Sequence, residues 1–139
     1  MEEKILLGQR VINGNDVPTN RVRGGHSPEI NNSNANYAVE VLQSNSDGTQ
    51  VIKFLTQFPD GNLSKIKKST VFPTNWDDAD ILNAIKQIGN TDPLVMRIND
   101  RSSLHRGVVN GVEIEVIKIG DNVTSAYPTG GISTPIDRF

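Results

Sequence analysis

The chain contains only two histidines, and these are the first residues whose side chains could transfer protons near neutral pH. His26 follows two adjacent glycines in "RVRGGHSPEI", residues 21–30, and His105 lies in "SSLHRGVV". A glycine pair lets the backbone approach a ligand closely, since glycine has no Cβ and tolerates positive φ. The segment around Gly25 and His26 could therefore bind a phosphate. The alternative is a solvent-exposed turn that holds a histidine without a chemical role.

A lysine cluster is the second chemical feature. Lys65, Lys67 and Lys68 lie in "SKIKKST", and strand alternation would put Lys65 and Lys67 on one face and Lys68 on the other. Such a cluster is typical of a solvated strand face, and it is also what contact with a phosphate needs. Two imidazoles and a cation can cleave RNA without a metal. One imidazole removes the 2′-hydroxyl proton, the other protonates the departing 5′-oxygen, and the cation stabilises the charge on pentacoordinate phosphorus.

Composition limits the classes of function. The chain has 139 residues, 35% of them hydrophobic and 22% charged, with a net charge of −2, which predicts one soluble domain and argues against a generic nucleic-acid-coating protein. It has no cysteine, which excludes disulfides, thiolate catalysis and Cys-ligated zinc. The histidines lack HExxH-like spacing, so no metal site is predicted. No apolar run could span a bilayer, and the first ten residues are not typical of a signal peptide.

Short strands around one helix are the predicted elements. Residues 9–36 are rich in Asn, Gly, Pro and Ser and predict a long functional loop. "NWDDADILNAIKQIGN" predicts a helix that Asp77 caps and Gly89 ends, with isoleucines on one face. The predicted strands are "YAVEVLQ", "QVIKFLTQF" and "LSKIKKSTVF" before the helix and "PLVMRI", "LHRGVV", "VEIEVIKIG" and "VTSAYP" after it. This order predicts an α+β fold with the helix packed on antiparallel sheets, and a loosely held tail from residue 129.

Five stretches, taken in order, make the pattern specific. They are "KILLG" at 4–8, "GGHS" at 24–27, "KIKKSTVFPTNW" at 65–76, "NGVEIEV" at 110–116 and "SAYP" at 125–128. The series resembles the EndoU family of endoribonucleases, most closely its bacterial branch, whose domains form the C-terminal toxic part of large proteins delivered between competing cells. The resemblance covers about 4–128. It implies one EndoU-like domain of two antiparallel β-sheet subdomains, about 1–62 and 63–128, with a tail at 129–139.

The resemblance also implies a set of site residues. The family's active site uses two histidines and a lysine, and the histidine of the glycine-rich segment falls on His26 and the lysine on Lys65. The family's Ser/Thr-x-Tyr-Pro pattern falls on Ser125 and Tyr127, which in relatives contact the base and sugar next to the cleaved bond. Tyr127 would stack on or orient the nucleotide. The alternative is that Tyr127 is a half-buried strand residue without a role in binding. Gly25 and Lys68 complete the predicted substrate-binding residues.

One position departs from the family pattern. Family members generally have a histidine where "KILLG" has Lys4, and an ammonium with a reference pKa of about 10.4 is a poor proton carrier near pH 7. His105 is the only other imidazole, so it is predicted as a conditional catalytic partner, the alternative being a surface or strand-edge histidine beside Arg106. A natural single-histidine variant, a substitution that tolerates a toxic protein and a misalignment of the first residues stay open.

Together these features predict a metal-independent endoribonuclease without a cofactor, whose catalytic residues are His26, Lys65, Tyr127 and conditionally His105. It is expected to cleave structured RNA such as tRNA to 2′,3′-cyclic phosphate ends. The expected setting is an antibacterial toxin, secreted within a larger protein and active in the cytoplasm of the target bacterium. Its implied partner is an immunity protein with an acidic surface, and no DNA partner is expected. The alternative is a catalytically impaired EndoU-like domain that binds RNA or protein.

Two further expectations concern neighbouring residues. Lys67 and Lys68 are expected to face outward, against the RNA backbone or against solvent. Trp76, just before the predicted helix, is expected to be a core anchor without a catalytic role.

Overall fold

A computed structural model describes residues 2–139 of the chain. The strands form three antiparallel sheets, ordered β1-β2, β3-β4-β5 and β6-β7-β8-β9, which confirms the predicted α+β class. Neither of the two α-helices in this part of the chain is long and apolar enough to cross a membrane. In chain order the elements are α1 (Glu2–Leu7), β1 (Gln9–Ile12), β2 (Pro18–Arg23), β3 (Tyr37–Ser44), β4 (Gln50–Thr56), β5 (Lys67–Val71), α2 (Asp78–Gly89), β6 (Val95–Met96), β7 (Ser102–Val109), β8 (Val112–Ile119), β9 (Asn122–Pro128) and a 3₁₀ turn (Ile136–Arg138).

Helix α2 begins and ends where its sequence predicts. Asp77 accepts from the backbone N–H of Asp80, and the side chain of Asp80 accepts from the N–H of Asp77. This reciprocal capping satisfies two donors that the first turn of a helix leaves unpaired. The helix packs on the four-stranded sheet, and a buried cluster joins the two. That cluster includes Ile81, Ile85 and Ile88 of α2, Ile114 and Val116 of β8, and Ala126 of β9, with Phe72 and Trp76 beside them.

A second, smaller core lies under the three-stranded sheet. Ile52 and Phe54 of β4 and Val71 of β5 pack there against Ile30. The segment that leads from β2 to Ile30 therefore crosses the inner face of this sheet. This placement positions His26 between the small sheet and the large one.

Two sequence expectations about local structure are wrong, and one helix was not predicted. The predicted loop over residues 9–36 contains two strands, β1 and β2, which pair with Gln9 opposite Arg23. Both strands are too short and polar to show alternation. Helix α1 was not expected either, since its six residues carry no N-capping signal. The tail is also not loose: the hydroxyl of Thr129 donates to a carboxylate oxygen of Glu113, and Thr134 is bound to Glu115. The subdomain boundary near residue 62 stays a prediction.

Candidate active site

The C-terminal end of α1 holds the segment of residues 24–27. The last carbonyls of a helix have no intrahelical partner, and here three of them accept backbone N–H groups from this segment. The backbone around His26 is therefore fixed by the helix. The bonds run from Gly25 N to Lys4 O (3.0 Å), from His26 N to Ile5 O (2.7 Å) and from Ser27 N to Leu6 O (2.9 Å).

The glycine pair permits this close docking. Gly24 has a φ of +76°, and a Cβ there would lie 1.8 Å from the carbonyl oxygen of Lys4. Gly25 has a φ of +83°, and its Cβ would lie 2.8 Å from the ring of Phe54. The N–H of Gly25 donates to Lys4, and its carbonyl accepts from the hydroxyl of Ser69 at 2.7 Å. Glycine is thus required for packing within the protein, and the substrate contact predicted for Gly25 stays a prediction.

The imidazole of His26 is oriented by strand β5. Its Nδ1 lies 2.8 Å from the carbonyl oxygen of Thr70 and 3.0 Å from the hydroxyl oxygen of Ser69. Because Ser69 gives its hydrogen to Gly25, both neighbours act as acceptors toward Nδ1. Nδ1 is therefore the protonated nitrogen, and Nε2 carries the lone pair. This is the tautomer that can take up a proton at Nε2.

The environment of His26 keeps the ring neutral near pH 7. Burial lowers its pKa to about 4. The bond to the Thr70 carbonyl opposes this shift, and the positive charge of Lys67 adds to it. A neutral imidazole with an available lone pair is suited to act as a general base.

Lys67 is the lysine whose charge acts on His26. It is the first residue of β5 and lies on the same face of that strand as Ser69, because alternate residues of a strand share a face. Its ammonium is half-buried, and burial lowers its pKa, as do the nearby charges of Arg21 and Arg23. The expectation that Lys67 faces outward is therefore wrong. The two-residue spacing between Lys67 and Ser69 could have indicated this orientation, but only with the knowledge that Ser69 is buried.

The other two lysines of the cluster lie differently. Lys65 precedes β5; its side chain is exposed, and its backbone N–H donates to the carbonyl of Asn20 at 2.7 Å. Lys68 is exposed and lies opposite Lys53 in the sheet, on the face away from Ser69. The structure thus does not place Lys68 beside the imidazole. The roles predicted for Lys65 and Lys68 stay predictions.

Four cations whose charges act on one another are here called the basic rim, and one of them, Lys67, also acts on His26. The rim consists of Lys4, Arg21, Arg23 and Lys67. The charge of Arg23 lowers the pKa of both lysines, after the effect of burial, and Arg21 acts on Lys67. Within residues 2–139, none of the four forms an ion pair with a carboxylate. Such a surface attracts anions.

Strand β9 brings the predicted nucleotide-binding residues to the same place. The ring centroid of Tyr127 lies 6.0 Å from that of His26, with the planes tilted by 45°. Ser125 is two residues earlier on β9 and shares the face of Tyr127, while Ala126 between them is buried in the core. His26 and Tyr127 therefore lie side by side, with Ser125 on the same face of β9 as Tyr127, and the nucleotide-binding roles of Ser125 and Tyr127 stay predictions.

His105 lies on the other side of the sheet. It is buried, with Nδ1 2.8 Å from the carbonyl oxygen of Thr91, just after α2, and Nε2 2.8 Å from the hydroxyl of Ser103. Gly107 shares the face of His105 on β7, and a Cβ at Gly107 would lie 2.4 Å from Cδ1 of Ile88 in α2. The prediction that His105 enters the active site is corrected: both ring nitrogens are bonded within the protein, on the helix side of the sheet.

The comparison with known families decides the identity of the fold. A family model described as "Bacterial EndoU nuclease" matches residues 4–130 of the 139. The chain belongs to the bacterial EndoU nuclease family. It is accordingly an endoribonuclease-type enzyme. No curated protein and no solved structure matches the chain.

In this EndoU nuclease, Lys4 reaches toward β9, the strand that carries the predicted nucleotide-binding residues. Its Nζ donates to the carbonyl oxygen of Thr124 at 2.6 Å, one residue before Ser125 on β9. Burial lowers its pKa, and so does the charge of Arg23. An ammonium therefore lies next to the segment that carries His26.

Proposed function

We propose that this EndoU nuclease cleaves structured RNA, with tRNA as the foremost candidate, by transesterification at a 2′-hydroxyl. The observation that carries the proposal is the position of the His26 imidazole. Its Nδ1 is bonded to β5, its ring is 6.0 Å from Tyr127, and Lys67 is close enough to lower its pKa. A base, an aromatic ring and a cation are the groups that cleavage at a 2′-hydroxyl requires.

His26 is assigned the first proton transfer. A neutral imidazole with its lone pair on Nε2 accepts the 2′-hydroxyl proton as the 2′-oxygen attacks phosphorus. The bond from phosphorus to the 5′-oxygen then breaks, and the 5′-oxygen takes up a proton. The products are a 2′,3′-cyclic phosphate and a 5′-hydroxyl.

The cations are assigned the phosphate. Lys67 stabilises the negative charge of the phosphorane, since it is half-buried and a buried charge acts more strongly than one in water. The proton for the 5′-oxygen comes from an ammonium, because His26 itself is unprotonated in the free enzyme. Lys4 is assigned this role on the strength of its lowered pKa and its position beside β9.

The test is the incubation of purified protein with total tRNA in the presence of EDTA. New 2′,3′-cyclic phosphate ends, detected by end-specific ligation and sequencing, are the expected result, and they should disappear in His26→Ala. That variant shows whether a contaminating nuclease produces the ends. Lys4→Met should slow the reaction, and Lys4→His should restore at least part of the rate if a proton donor is what the position supplies.

The biological setting is proposed as that of an antibacterial toxin domain, delivered within a larger secreted protein and active in the cytoplasm of the target bacterium. The family match and the unpaired cations of the basic rim support this. A producing cell would then need an immunity protein that covers the rim with carboxylates. Growth arrest on cytoplasmic expression of the wild type, but not of His26→Ala, is the expected observation.

A second candidate is favoured by Lys4 alone. If the ammonium cannot replace the missing imidazole, the chain binds RNA without turning it over. Binding of tRNA that produces no cyclic phosphate ends would favour this candidate, and recovery of cleavage in Lys4→His would locate the defect.

A further inference from the structure

The large sheet holds a buried ion pair that the proposed chemistry does not use. Glu115 of β8 is fully buried, and its Oε2 accepts from Nε of Arg106 at 2.8 Å and from Nη2 at 2.5 Å. In the sheet register, Glu115 lies opposite Arg106 on one side and opposite Tyr127 on the other. These three side chains therefore form one row on the face that points away from α2.

The C-terminal segment is bound to this ion pair through Thr134. The N–H of Thr134 donates to Glu115 at 3.0 Å, its hydroxyl donates to the other carboxylate oxygen at 2.6 Å, and its carbonyl accepts from Arg106 at 2.5 Å. None of residues 132–139 is fully buried. Polar contacts, and not a hydrophobic core, therefore determine where this segment lies.

A second carboxylate holds the same segment. Glu113 accepts from the hydroxyls of Thr129 and Ser133. Glu113 and Glu115 are two residues apart on β8, so they share a face. The segment is thus fixed on both sides of Ile132, whose own side chain is exposed.

The hydroxyl of Tyr127 bonds to the same threonine. Its oxygen lies 3.3 Å from Oγ1 of Thr134. The single hydrogen of Oγ1 is used in the shorter bond to Glu115, at 2.6 Å, so the phenol is the donor in this longer contact, with the Glu115 carboxylate beside it as a second acceptor. The phenol oxygen then offers lone pairs, and not a proton, to a bound nucleotide.

We infer that Thr134 is a positioning residue of the active site, held by Arg106 and Glu115 so that it fixes the Tyr127 hydroxyl as an acceptor for a ribose hydroxyl or a base N–H. The inference rests on the proposed ribonuclease function. Thr134 lies outside residues 4–130, the part that the family model matches. The contact is therefore a property of this chain beyond the matched region.

A double-mutant cycle between Thr134 and Tyr127 tests this. Thr134→Val removes the hydroxyl and keeps the shape, and kcat/KM for an oligoribonucleotide with the wild-type cleavage site should fall about tenfold. In the Tyr127→Phe background the same change should have no further effect, because the phenol that it positions is absent. Thr134→Ser should retain activity, and Ile132→Ala is the matched control, expected to be unchanged.

The outcomes separate the inference from the proposed function. If the wild type cleaves in a His26-dependent way and Thr134→Val is fully active, the inference fails and the function stands. An equal loss in both backgrounds would show that Thr134 acts through stability, and it would also overturn the inference. If the wild type does not cleave RNA, both fail together. Thr134→Ala repeats the cycle if the valine variant does not fold.

Discussion

A histidine lies at each face of the large sheet, and the two histidines differ in how their ring nitrogens are bonded. On the face that packs on α2, His105 has both ring nitrogens bonded within the protein. On the other face, Tyr127 lies beside His26, whose Nε2 takes no part in the bonds that orient the ring. The two rows are neighbours in the register: His105, Val116 and Ala126 form one, and Arg106, Glu115 and Tyr127 form the next. A shift of one residue along the strand therefore separates the row of the structural imidazole, His105, from the row that lies on the side of His26.

This difference shows that residue type alone does not identify a catalytic group here. The two histidines differ in what remains available after their hydrogen bonds are made. His26 uses one nitrogen to fix its orientation, and His105 uses two. The first can still exchange a proton with a ligand, and the second cannot do so without losing a bond to Thr91 or Ser103.

Replacement of His26 should have the largest effect. His26→Ala removes the general base, and kcat should fall by about 10³-fold, measured on the tRNA or oligoribonucleotide that the wild type cleaves. The free energy of unfolding should change much less than the activity. Residual cleavage above about a tenth of the wild-type rate would contradict the assignment of the base.

The pH profile sharpens this prediction. Since the pKa of His26 is lowered to about 4, kcat/KM should stay constant from neutral pH down to about 5 and then fall with an apparent pKa near 4. The same shift affects stability: below the unfolded-state pKa of about 6.5, the unfolded chain binds a proton that the folded chain does not. The free energy of unfolding should therefore decrease from about pH 6.5 to 4. An acid limb at about 6.5 would show that the fold does not lower the pKa of the His26 ring.

The next largest effect is expected at Lys67, and it should exceed the effect at Lys65. Lys67→Met removes the half-buried cation and should lower kcat about 100-fold, whereas Lys65→Met removes an exposed charge and should have a much smaller effect. Methionine keeps the length of the side chain, so packing is largely preserved. If Lys65→Met proved the more harmful, the prediction from the family pattern would be restored and Lys67 would be a structural residue.

The parts of the molecule that sequence reasoning predicted have local causes. The capping residues of α2 and the Asn110-Gly111 turn between β7 and β8 act on residues next to them, and both residues of that turn have positive φ. Patterns of this kind depend on little beyond the segment itself. The family resemblance supplied His26, Ser125 and Tyr127.

The parts that it missed are fixed by distant contacts. The partial burial of Lys67 arises only in the folded chain, which brings Arg21 and Arg23 close to it, and no pattern near Lys67 reports it. In β7, residues 102–105 are all buried, so the strand shows no alternation from which the face of His105 could be inferred. Thr134 is held by carboxylates on β8, and a polar tail carries no periodicity that would reveal this.

His105 should affect stability and not chemistry. His105→Ala leaves the carbonyl of Thr91 without its partner and removes the shorter of the two hydrogen bonds of the Ser103 hydroxyl, which costs about 2 kcal/mol of unfolding free energy. Denaturant unfolding measures this loss, and kcat/KM should be unchanged at temperatures where the variant is folded. A fall in kcat with normal stability would break the contrast between the two faces and return His105 to the site.

The smallest effect is expected at the two arginines of the basic rim, Arg21 and Arg23, and it tests whether the two sides of the protein differ in charge. Arg21 and Arg23 have no carboxylate partner within residues 2–139, so each can neutralise an RNA phosphate. Arg21→Gln and Arg23→Gln should each weaken binding and reduce the slope of log K against log salt by about 1. Lys86→Gln, an exposed lysine on α2, is the matched control and should leave the slope unchanged. Equal changes in all three variants would mean that RNA senses only net charge, and the face that carries His26 would then have no electrostatic preference over the helix side.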